Sequence, residues 1–198
     1  MRDRIVPELP PEIPSFGNRF SRWLGRTLLR LIGWKIVGQL PAEKKLILAL
    51  SPHTSNWDFV TAMFGILAIG IKVSYLMKKE AFFWPVRNLF IWLGGIPIDR
   101  NAAEDTVVQI RKWFASNEKV CVGITPEGTR AKVDKWKTGF LRIAHQAEVP
   151  VFIGAWDYPN KQIVLDRVWP VSENYIEDAA SIREYINSKY QGKHPEKQ

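Results

Sequence analysis

The stretch SPHTSNWDF, residues 51–59, sets a histidine five residues ahead of an aspartate, between the apolar runs KLILAL and FVTAMFGILAIGI. Such a pair either caps a helix or does chemistry. Ser55 with Asp58 matches the S-x-x-[DE] capping pattern, which starts a helix at that point. Asp58 then falls in the first helical turn, and His53 in the loop that leaves the preceding strand. Loops at the C-terminal edge of parallel strands are where α/β sheets keep their sites. From there Asp58 can accept a bond from one imidazole nitrogen, leaving the other free to take a proton from a hydroxyl. That is the base-and-orienter pair needed for acyl transfer without a protein nucleophile. The cap alone accounts for Asp58; it does not account for His53.

Two further stretches carry polar residues at predicted strand ends. In GGIPIDR, residues 94–100, paired glycines allow a ligand close to the backbone and Arg100 is a phosphate-type donor. The plainer alternative is that Asp99 and Arg100 start a loop. In TPEGTR, residues 125–130, Gly128, the exposed amides around Thr129 and the Arg130 guanidinium suit an anion. Glu127 suits a hydroxyl or an arginine partner. Lys132, Lys135 and Lys137 follow closely, so a charged turn is the competing explanation. Cys121, the one cysteine, lies in KVCVGIT and reads as core, and one cysteine permits no intrachain disulfide. His145 and His194 stand alone and read as structural or solvent residues.

These stretches need elements to position them. Residues 1–14 hold four prolines and read as an irregular arm rather than a signal peptide. Residues 15–38 read as a basic amphipathic helix. Phe16, Phe20, Trp23, Leu24, Thr27, Leu28, Leu31 and Trp34 share one face, Arg19, Arg22, Arg26 and Arg30 line its flank, and no acid interrupts them. That pattern suits a lipid interface, or else a helix packed on the domain with a solvated basic edge. Strand, helix and strand then alternate: strands at 45–50, 73–77, 96–98, 119–124, 149–156 and 162–168, and helices at 56–70, 83–93, 104–116, 138–147 and 176–190. The expected fold class is α/β, a largely parallel central sheet flanked by helices, with the amphipathic helix ahead of it. Residues 1–40 form the arm and membrane-contact helix, residues 41–198 the remaining domain, and the tail QGKHPEKQ is expected to fray.

Composition narrows the function classes. Hydrophobic residues make up 46% of the chain, enough for a core, so disorder is not expected. The formal net charge of +8 points to an anionic partner: nucleic acid, membrane surface or phosphorylated substrate. The longest apolar run, residues 59–71, is too short to cross a bilayer, so membrane contact would be peripheral.

Taken in order, H-x-x-x-x-D, then G-x-x-x-I-D-R, then P-E-G-T-R, each after a strand, resemble the glycerophospholipid acyltransferase family, whose members include the 1-acyl-glycerol-3-phosphate acyltransferases. WKTG, residues 136–139, and VPVFI, residues 149–153, look like the family's continuation. The resemblance covers residues 46–157 and implies a glycerol-3-phosphate acyltransferase-like fold. By position, His53 would be the general base, Asp58 its orienter, and Arg100, Glu127, Gly128, Thr129 and Arg130 the acceptor site, chiefly for a phosphate. The donor would be acyl-CoA or acyl carrier protein, used as co-substrate, with no cofactor, no metal and no nucleic-acid partner. The acceptor would be a lysophospholipid, 1-acyl-glycerol-3-phosphate first, or else a lyso-aminolipid or lipid-linked sugar. The place would be the cytoplasmic face of the membrane. Against these stand a non-catalytic lipid- or nucleic-acid-binding domain, which leaves His53 unexplained, and a hydrolase, for which no nucleophile elbow is present.

Overall fold

The computed structural model describes residues 5–98 and 103–198. Its centre is a seven-stranded sheet. In chain order the strands are β1 (Lys35–Gly38), β2 (Lys45–Ser51), β3 (Val73–Lys78), β4 (Gly95–Ile98), β5 (Val120–Ile124), β6 (Val151–Asp157) and β7 (Gln162–Trp169). In space they run β1-β7-β6-β2-β5-β3-β4. Every pairing is parallel except β6 with β7, a hairpin closed by the turn from Tyr158 to Lys161.

The central strands are buried on both faces, as parallel sheets require. Along β2 the period-two alternation sends Leu46 and Leu48 to one side and Ile47 and Ala49 to the other. The first side is covered by α1 (Arg19–Leu31) and α2 (Asn56–Ile69), with α3 (Arg87–Trp92) joined to α2 by the Phe59–Phe90 ring contact at 6.4 Å. The second is covered by α4 (Ala103–Ser116), α5 (Gly139–Ala147) and α6 (Tyr175–Lys189). Helix α2 is apolar nearly all round because α1 lies on its outer surface. Gly25 makes that contact possible: a Cβ there would sit 2.4 Å from the backbone nitrogen of Ala68. Leu29, one turn on, is wholly buried, and truncating such a leucine to alanine costs about 2–5 kcal/mol.

The expected helix over residues 15–38 is shorter than predicted. It stops at Leu31, where Gly33 adopts φ 72°. The Gly33 N–H donates to the Arg30 carbonyl at 3.0 Å and the Trp34 N–H to that of Leu29 at 2.8 Å. This double bond pattern with a left-handed glycine is the Schellman stop. The chain then turns into β1, which pairs with β7 at the sheet edge. The helix expected over residues 83–93 is also shorter, because regular helix begins only after Pro85. A proline lacks the N–H and drives its predecessor out of helical geometry.

One expectation holds and one changes. The arm is irregular but packed: Val6 and Ile13 are buried, and Ile5 accepts a bond from the Ile36 N–H at 2.8 Å. The tail does not fray. It forms a short 3-10 turn at Pro195–Lys197 and is bonded back onto the domain.

Candidate active site

Helix α2 begins as its sequence requires. The Ser55 hydroxyl accepts from the Trp57 N–H at 3.2 Å, and Asp58 Oδ2 accepts from the Ser55 N–H at 2.8 Å. The same oxygen accepts from the Thr54 N–H at 2.8 Å and lies 3.1 Å from His53 Nδ1. Oδ1 accepts from the Tyr158 hydroxyl at 2.5 Å. Asp58, with 0% exposure, is therefore held by four donors. With Nδ1 donating to Asp58, Nε2 of His53 carries the free lone pair. The imidazole rests beside Trp156, with 5.7 Å between ring centroids, and keeps 15% of its side chain exposed.

Glu127 comes from the loop after β5. Because β5 and β2 are parallel neighbours with Ala49 opposite Ile124, their ends deliver the two loops side by side. Glu127 Oε1 accepts from the Ser51 hydroxyl at 2.5 Å and from the His53 N–H at 2.9 Å. Its Oε2 is buried and, among the described residues, has no hydrogen-bond partner. Burial pushes the Glu127 carboxyl above its ordinary range, and the bonds from Ser51 and His53 only partly offset it. Gly128 follows at φ 65° and donates to the Thr125 carbonyl at 3.0 Å, a turn that a side chain would strain.

A cavity of about 10 Å³ lies beside His53, bounded by Glu127, Trp136, Arg183, Lys197 and Gln198 among others. Arg183 of α6 donates to the carbonyls of Val133 and Asp134, and so fixes the loop that follows Arg130. Thr129 and Arg130 are exposed and do not line this cavity. Arg100 lies outside the described residues. The geometry thus brings His53, Asp58 and Glu127 together and leaves Thr129 and Arg130 exposed, outside the cavity wall. Sequence reasoning missed Ser51, Tyr158, Trp156, Arg183, Lys197 and Gln198. Ser51 stands in the motif stretch itself; the others carry no local pattern that marks them.

A buried carboxylate orienting an imidazole whose second nitrogen is free is equipped to move a proton from a hydroxyl. Comparison with known proteins agrees with that chemistry. The family model described as Acyltransferase matches residues 35–153, more than half of the chain. The chain belongs to the acyltransferase family. The matched span of this acyltransferase runs from β1 into β6 and contains His53, Asp58, Glu127 and Arg130, but not Tyr158, α6 or the tail. No curated protein matches it. Among solved structures, it is similar to the crystal structure of the 1-acyl-sn-glycerophosphate (LPA) acyltransferase PlsC from Thermotoga maritima, with TM-score 0.57 and 18% identity over 88% of this chain and 81% of that one. That likeness shows a common fold. The acyltransferase is an α/β protein with a mostly parallel sheet and an N-terminal helix, as its sequence leads one to expect.

Proposed function

We propose that this acyltransferase moves a fatty acyl group from a thioester, acyl-CoA or acyl carrier protein, to the hydroxyl of a lysophospholipid, 1-acyl-glycerol-3-phosphate first. The observation that carries the mechanism is the 3.1 Å contact from His53 Nδ1 to Asp58 Oδ2, with Asp58 itself immobilised. His53 Nε2 accepts the acceptor hydroxyl proton as that oxygen bonds to the thioester carbonyl carbon. The carbon–sulfur bond then breaks, and the imidazolium returns the proton to the leaving thiolate. Asp58 orients the ring and stabilises its charged form. The acceptor phosphate is assigned to Arg100, Arg130 and the Thr129 backbone, with Gly128 shaping the turn and Glu127 holding the loop beneath. The resemblance to the 1-acyl-sn-glycerophosphate enzyme supports this acceptor at the level of fold only; a lyso-aminolipid or lipid-linked sugar is the alternative.

The same reading puts the protein at the surface of an anionic bilayer, on the cytoplasmic leaflet. Among the described residues no helix is long and apolar enough to cross a membrane. Phe20, Trp23 and Leu31 of α1 are exposed, and an open recess of about 350 Å³ on that helix is lined by Arg19, Arg22, Trp23, Arg26 and Arg30. Exposed aromatics beside arginines suit the headgroup boundary. The test is thioester consumption against a panel of lyso-lipids presented in anionic vesicles, with His53→Ala as control. Turnover with 1-acyl-glycerol-3-phosphate supports the assignment. Turnover only with uncharged acceptors overturns the phosphate site, and no turnover with any acceptor overturns the reading.

A further inference from the structure

We propose that residues 191–198, the segment after α6, form a lid on the transfer site that is closed in this structure and lifts to admit the thioester. The proposal rests on the reading of His53 as the base. Pockets that take small ligands measure about 300–1,000 Å³. The cavity beside His53 measures about 10 Å³, space for about one water molecule. No acyl thioester reaches the imidazole through a space of that size. Two residues of the segment, Lys197 and Gln198, are part of its wall.

The segment is fastened to the site's own loop. The His194 N–H donates to Thr54 Oγ1 at 3.1 Å, one residue beyond His53. Gly192 lies so close that a Cβ would meet Thr54 Oγ1 at 2.8 Å and Cγ2 at 3.0 Å. The Lys193 ammonium stands 5.4 Å above the ring of Trp57, in the first turn of α2. Gln198 folds the segment on itself: Oε1 accepts from the Gly192 N–H, and Nε2 donates to Asn187 Oδ1 and to the Tyr190 carbonyl.

These fastenings are also easily released. None of residues 191–198 belongs to either hydrophobic cluster, whereas α6 is anchored by Ala179, Ile182 and Ile186. At Tyr190 the backbone leaves the helix for an extended conformation, φ −126° and ψ 145°, and that residue marks the hinge. A segment with few apolar contacts belongs to the low-stability end of a fold and opens locally.

The test reads His53 directly. Diethyl pyrocarbonate acylates accessible imidazoles, and the chain has three histidines, so peptide mass spectrometry follows His53 with His145 as internal reference. Lys193→Ala combined with Gln198→Ala loosens the lid. It should speed His53 labelling about tenfold or more, as expected when a mostly closed equilibrium loses its closing contacts, and leave His145 unchanged. Thr54→Cys combined with Gly192→Cys, oxidised with glutathione disulfide, locks the lid; Cys121 is buried and does not compete. The locked form should lose both His53 labelling and consumption of palmitoyl-CoA with 1-acyl-glycerol-3-phosphate, and dithiothreitol should restore both. Equal His53 labelling in wild type and the loosened variant, or equal turnover in locked and reduced forms, overturns the lid. Lid-dependent labelling without thioester consumption by any form upholds the lid and overturns the acyl-transfer reading instead.

Discussion

The Tyr158 hydroxyl donates to Asp58 Oδ1 at 2.5 Å across a separation of 100 residues. It ties down the second oxygen of the carboxylate that orients His53. Burial, then the bond to Asp58 and its negative charge, push the Tyr158 phenol well above its ordinary value. The group therefore stays a neutral donor throughout the working range. A hydrogen bond to a charged partner contributes about 1.5–3 kcal/mol, and about 1.4 kcal/mol lost from the transition state lowers a rate tenfold. Tyr158→Phe should lower kcat about tenfold and leave the acceptor KM nearly unchanged. A KM effect with unaltered kcat would show that Tyr158 touches substrate rather than positioning Asp58.

His53→Ala should reduce turnover by ~10²–10⁴, with circular dichroism and Tm close to wild type, because among the described residues its side chain is bonded only to Asp58. Asp58→Asn is a harsher change than its charge alone suggests. Its carboxylate serves the Thr54 and Ser55 N–H groups as well as His53, and a misdirected amide would oppose donors with donors. Asp58→Asn should lower both kcat and Tm, whereas a variant with normal Tm and normal turnover would remove Asp58 from the mechanism.

Glu127 predicts a pH dependence of stability. Its folded-state pKa is raised above the ordinary 4.5 by burial. Between the unfolded and folded values the native state binds more protons, so this group makes stability fall as pH rises through that window. Glu127→Gln keeps an acceptor for Ser51 and the His53 N–H but removes the buried charge. It should therefore raise Tm at pH 7, with the gain shrinking as pH falls and disappearing below about 4.5. Thermal melts of both proteins at pH 4 and pH 7 decide it; equal Tm at pH 7 would mean that Glu127 ionises at no penalty.

The arginines of α1 divide into two kinds. Arg26 Nε donates to the Ala68 carbonyl at 3.3 Å, and the Arg22 guanidinium lies against Gly70. Both sit at the C-terminus of α2, where the helix dipole favours a cation. Arg19 and Arg30 are exposed. Each basic residue near an anionic surface contributes about 1 kcal/mol. Arg19→Glu with Arg30→Glu should weaken co-sedimentation with anionic vesicles and leave Tm unaltered, while Arg22→Glu should lower Tm even without lipid. Vesicle binding that survives the first pair at low salt would place the contact on another surface.

What could be read from the sequence was local or periodic. The start of α2 and the His53–Asp58 contact follow from residues within one turn, where capping chemistry decides the geometry. Strands β2, β5 and β6 were legible because short continuous apolar runs suit strands buried on both faces of a parallel sheet. Tertiary structure alone decided what converges on that pair. Glu127 reaches the His53 loop because β5 lies beside β2, and Tyr158 reaches Asp58 because the β6–β7 turn falls above α2. Neither adjacency is written in spacing along the chain. The end of α1 had its signal in Gly33, but an amphipathic pattern that continued through Trp34 hid it. The tail was polar enough to suggest fraying, since composition reports how little a segment can bury. Only the fold supplied the hydrogen-bonding partners at Thr54, Asn187 and Tyr190 that hold it over the site.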